Sequence, residues 1–99
     1  MKVRVYFLRR TKEPQTAELM NQPFENWMLN NMYDLVWEAE FKNLVTPDII
    51  AMKFSLESTP FGIAFKKQPA RSGLEPGDVV QVGLAHYLRL ASGFRELRF

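Results

Sequence analysis

The run Ala70-Arg-Ser-Gly-Leu-Glu-Pro-Gly-Asp-Val-Val-Gln-Val-Gly83 constrains this chain more than any other stretch. Glu75-Pro76-Gly77-Asp78 has the chemistry of a tight turn. Proline fixes φ at about −65° at the first central position, and glycine accepts φ > 0 at the second. Val79-Val80-Gln81-Val82 is β-branched strand material. Tyr87 and Gly93-Phe94 then mark a short antiparallel meander, with strands predicted over 78–83, 86–91 and 94–99.

Upstream, residues 2–8 alternate with period two. Val3, Val5 and Phe7 share one side, and Lys2, Arg4 and Tyr6 the other, as in a half-buried strand. Residues 9–15 form a polar connection containing Pro14. Thr16 can cap a short helix through Glu18, Leu19 and Met20 that Pro23 interrupts. Phe24, Trp27, Met28 and Asn31 have helical spacing, which predicts a second short helical turn; a loop anchored by Trp27 is the alternative. Over 33–42, Leu35, Trp37, Ala39 and Phe41 alternate with Val36, Glu38, Glu40 and Lys42, again a strand pattern. Thr46-Pro47-Asp48 is a helix start: a capping hydroxyl, proline at the first helical position and an acid in the first turn. The helix is expected over 47–54, although two periods compete there. Ile50–Phe54 and Met52–Leu56 are (i, i+4) pairs, yet all four residues also alternate with polar or small ones. Phe61–Phe65 reads as a short strand and 66–73 as a surface loop.

A chain of 99 residues is one domain, 1–99, large enough to fold without staples. It has no cysteine, which removes disulfides, thiolate metal sites and cysteine nucleophiles and fits a reducing, cytoplasmic setting. No apolar run approaches the roughly 18–20 residues of a membrane span, and none has the form of a signal peptide. The net charge of +2 conceals segregation. Residues 1–12 carry five bases and no acid. Residues 13–48 carry seven acids against Lys42, and residues 49–99 seven bases against four acids. Basic and acidic segments can neutralise one another in the fold or leave a basic face; the first reading is favoured.

Chemistry-bearing constellations are scarce. His86, the single histidine, has no nucleophile at motif-like spacing. Glu38 and Glu40 lie about 6–7 Å apart on one strand face, near a glycosidase separation, but outward acids on a strand are ordinarily just solvated. The glycines are spaced as turn residues, not as a phosphate cradle. No catalytic residue, metal site or cofactor is expected. Two binding surfaces remain. Phe24, Trp27, Met28, Met32 and Tyr33 form an aromatic and methionine-rich segment suited to a protein interface. Lys2, Arg4, Tyr6 and Arg10 form a basic stripe with an aromatic, which nucleic acid could use.

Arg71-Ser72, Gly77-Asp78-Val79-Val80, Tyr87 and Gly93-Phe94-Arg-Glu-Leu97 together resemble a pattern in the YodL-like group, small proteins and domains of plasmids, conjugative elements and phages. The strand containing Glu38–Phe41, followed by a helix, is similar as well. In that group three residues separate Arg-Ser from Gly-Asp-Val-Val; here Gly73, Leu74, Glu75 and Pro76 make four. The resemblance implies an accessory protein of a mobile element that acts by binding.

The expected architecture is an α+β domain, an antiparallel sheet of four to six strands with one or two short helices on one face. Its core is expected to draw on Val3, Val5, Phe7, Leu35, Trp37, Phe41, Ile50, Phe54, Val80, Val82, Leu88 and Leu90. The expected function is a non-enzymatic protein-binding module, its partner another protein or a second copy. Nucleic-acid binding through the first strand is the alternative.

Overall fold

A computed structural model describes residues 1–9, 23–69 and 71–99. Five strands and two helices follow in the order β1 (Lys2–Leu8), α1 (Asn26–Met32), β2 (Tyr33–Glu40), α2 (Pro47–Leu56), β3 (Val79–Val82), β4 (Ala85–Arg89) and β5 (Phe94–Leu97). The strands form one antiparallel sheet in the order β2-β1-β3-β4-β5. The expected α+β class holds. The predicted helix at 16–20 lies outside the described residues.

Period two in β1 sets the two faces. Val3, Val5 and Phe7 join Val36, Trp37, Ala39, Val80 and Val82 beneath Ile50 and Phe54 of α2. Leu8 points the other way, into a second cluster with Phe24, Met28, Tyr33, Val79, Leu88 and Leu97. The helices therefore divide between the two faces rather than sharing one. The reason is that β1 and β3 are apolar on both sides at one end: Leu8 and Val79 leave a second surface that α1 must cover.

A β-bulge explains a second departure. Val5 pairs with Trp37 but Tyr6 pairs with Leu35, so Val36 is an extra residue in β2. Alternation changes phase there. Val36, expected outside, is buried, while Leu35, expected in the core, is 37% exposed. Phe41 and Leu90 are only partly buried at the margins of the two clusters. The Val36 carbonyl accepts from the amides of Lys66 (2.8 Å) and Lys67 (3.4 Å), and the Trp37 indole donates to the Ile63 carbonyl (3.0 Å). Residues 63–67 thus shield part of the β2 edge.

The start of α2 is as predicted. The Thr46 hydroxyl accepts from the Ile49 amide at 3.3 Å, with Pro47 at the first turn. The Phe61–Phe65 stretch is not a strand. Pro60–Gly62 forms a 3-10 turn in which Phe61 and Gly62 take φ of 56° and 71°, and no strand can run through two left-handed residues. Phe61 is held there because its ring packs on Trp37 and Phe41 and its amide donates to Glu57 at 2.9 Å.

Candidate functional site

The Arg-Ser…Gly-Asp-Val-Val motif folds into an internal clasp. Gly77 has a φ of 100°, and the Asp78 amide closes the turn on the Glu75 carbonyl at 3.0 Å. Asp78 is fully buried. One carboxylate oxygen accepts from the Leu8 amide (2.9 Å) and from Arg71 (2.7 Å), and the other accepts from the Glu75 amide (2.8 Å). The Arg71 guanidinium also donates to the Gly73 carbonyl (3.1 Å), pairs with Glu75 (2.8 Å) and lies 4.2 Å over the Phe7 ring. Most of these contacts tie the 71–78 loop to itself, and Asp78 also ties it to β1 through the Leu8 amide. A cleft of about 250 Å³ beside the clasp is lined by Phe54, Phe65, Arg71 and Ser72 among others, and its one cation is already engaged. Among the described residues, no three His, Cys, Asp or Glu side chains gather where they could hold a metal ion.

The aromatic and methionine-rich segment divides. Phe24, Met28 and Tyr33 are core, not surface. Their rings and thioether fill the second cluster, and the Tyr33 hydroxyl donates to the Gly77 carbonyl. Burial removes all three as contact residues: Met28 lies on the sheet side of α1, and Phe24 and Tyr33 pack beside it. Met32 is half-buried. Trp27 alone is well exposed, at 52%, with its indole N–H bonded to the Glu25 carboxylate.

The basic stripe also meets its complement. Lys2, Arg4 and Tyr6 share a face, as predicted; Arg10 lies outside the described residues. The antiparallel register sets Lys2 opposite Glu40 and Arg4 opposite Glu38. Arg4 pairs with Glu38 at 2.5 Å, and Lys66 approaches the same carboxyl at 3.8 Å. The hydrogen bond from Arg4 holds the Glu38 carboxyl below its ordinary range and raises the guanidinium in turn. Arg9 and Lys67 both reach Asp34. Tyr6 donates to Gln81 at 3.1 Å. Basic and acidic segments of the chain are thus interleaved along the β1–β2 pair. His86, on the same face of β4, stacks against Phe99 at 5.0 Å, and burial lowers its pKa from the ordinary 6.5.

Among the described residues, three of the exposed large apolar side chains fall on α2, which the sequence did not single out as a contact surface. Ile50 and Phe54 face the core, yet Ile49, Met52 and Leu56 are 42%, 49% and 75% exposed. Their spacing of three and then four residues puts them in one stripe along the outer side of the helix. The signal was present in the competing periods at 49–57. One (i, i+4) pair, Ile50–Phe54, faces in, and the other, Met52–Leu56, faces out. A helix apolar on two sides needs cover on both.

No protein-family model, curated protein or solved structure matches this chain.

Proposed function

We propose that this domain is a non-enzymatic protein-binding module whose contact surface is the outer face of α2. The observation that carries the reading is the stripe of Ile49, Met52 and Leu56 left open on a helix whose other side is already in the core. The partner is a protein offering an amphipathic helix. Ile49 to Leu56 spans two turns, about 10 Å, which matches three or four apolar residues of a second helix laid along the first. Completing the burial of these side chains, each already partly covered, supplies about 3–5 kcal/mol before the cost of association. Binding is therefore weak and reversible unless residues around the stripe add contacts. The YodL-like resemblance fits the same role, an accessory protein of a mobile element. The nucleic-acid alternative loses ground because the cations of β1 face carboxylates across the strand pair.

The test is affinity capture with the tagged domain, run with and without nuclease, beside Met52→Asp/Leu56→Asp and Trp27→Ala. The expected result is a protein that survives nuclease, is lost with the α2 variant and is kept by Trp27→Ala. Partners that vanish with nuclease, or that ignore the α2 substitutions, would overturn the reading.

A further inference from the structure

The two edges of the sheet are built differently. β2 is bulged and shielded by residues 63–67. β5 pairs with β4 alone, and its far side has no such cover among the described residues. The Leu90 amide bonds to the Gly93 carbonyl at 3.0 Å across the β4–β5 turn. In an antiparallel ladder, hydrogen-bonded and non-bonded pairs alternate. Gly93, Arg95 and Leu97 therefore aim their backbone groups at β4, while Phe94 and Glu96 aim theirs outward; the same alternation, carried one residue past the end of β5, turns Arg98 outward as well. Among the described residues this edge is open, and an open edge is a template for another strand.

We infer that a second copy of this chain pairs along β5, antiparallel about a two-fold axis through Leu97, to make one ten-stranded sheet. The charges select both the occupant and the register. A two-fold axis normal to the sheet keeps each face continuous, so only residues of one face can lie opposite each other. Centring on Arg95 sets arginine against arginine, and centring on Glu96 sets glutamate against glutamate. Centring on Arg98 again opposes two arginines. Centring on Leu97 sets Glu96 against Arg98 of the second copy, twice, with Leu97 against Leu97. The two Glu96–Arg98 pairs are those whose backbone groups point outward, so this register also closes the ladder hydrogen bonds. Glu96 and Arg98 are exposed, and neither has an ion-pair partner among the described residues. This edge is separate from the α2 stripe, so the two surfaces can be tested independently.

The experiment is sedimentation equilibrium over a concentration series, with circular dichroism confirming that each variant is folded. The wild type is expected to show a monomer–dimer equilibrium. Glu96→Arg places arginine opposite arginine, and Arg98→Glu places glutamate opposite glutamate. Each alone should weaken dimerisation roughly tenfold or more. The double swap Glu96→Arg/Arg98→Glu should restore it, and the two single variants should pair when mixed. Glu96→Pro removes only an outward amide and should abolish the dimer with the fold intact. A wild type that stays monomeric throughout, or a dimer indifferent to the charge swap, would overturn the inference.

Discussion

Helices α1 and α2 lie on opposite faces of one sheet and meet solvent in different ways. α1 buries Met28 and turns Asn26, Asn30 and Asn31 outward, with Trp27 its one well-exposed large apolar residue. Two polar groups of that outer side are engaged locally: Asn31 donates to the Trp27 carbonyl at 2.7 Å, and the Trp27 indole donates to Glu25. α2 buries Ile50 and Phe54 and still exposes Ile49, Met52 and Leu56. Both segments are rich in apolar residues. Their count does not distinguish a contact surface from a core; the number of sides they occupy does.

Several substitutions can break or sharpen this contrast. The largest effect is expected within α2 itself. Phe54→Ala removes a ring packed against Phe7, Trp37 and Phe65 and should cost about 3–5 kcal/mol in urea denaturation. Leu56→Ala, two residues on, should change stability by no more than about 0.5 kcal/mol. Equal losses would mean that the outer stripe is structural and the contrast false. The clasp serves both sides of the sheet, since Asp78 bonds Leu8 of one cluster and Arg71 lies over Phe7 of the other. Arg71→Ala removes the guanidinium that pairs with the buried Asp78 carboxylate and should cost about 3–5 kcal/mol. Signals from both helices should then melt together; loss confined to one face would show that the clasp is local.

Smaller differences should follow the caps. Thr46→Ala removes the hydroxyl that caps α2 and should cost about 1 kcal/mol. Glu25 precedes α1 without a side-chain cap bond, so Glu25→Ala should barely alter thermal stability. The smallest effect is pH-dependent. The Phe61 amide, and secondarily Lys53, hold the half-buried Glu57 carboxyl below its ordinary 4.5. A carboxyl whose folded pKa is depressed stabilises the fold above the unfolded value, and that contribution fades as pH falls through the folded one. Protection of the Phe61 amide, relative to its intrinsic exchange rate, should therefore fall below about pH 4.5, and Glu57→Gln should remove the pH step. α1 has no titratable side chain, so its amides should not follow the same profile.

Features made by neighbours in sequence were legible in the sequence. The β1 alternation, the Pro76-Gly77 turn and the Thr46 cap are each set by a few adjacent residues, and each appears where expected. Features that depend on distant partners were not. The bulge at Val36 arises where β2 meets β1 and the 63–67 segment, and nothing in 33–40 alone announces a phase change. Arg71 and Asp78 stood out as a motif, but burial by Phe7 and Leu8 made them a clasp. For the candidate site, the Met52–Leu56 pair was visible as a competing period. Its exposure depended on which pair the sheet would claim. Trp27 kept its place on the surface while its neighbour Met28 did not, because adjacent residues of a helix face different sides; Phe24, before α1, and Tyr33, in β2, pack beside Met28 in the second cluster.

The most direct test of the central claim is a methyl-NMR titration of the labelled domain with the protein it captures. The account predicts shifts at Ile49, Met52 and Leu56, while Ile50, Met28 and the β1 stripe stay in place. Shifts centred on Arg4, Tyr6 and Gln81, with the α2 methyls unmoved, would contradict it.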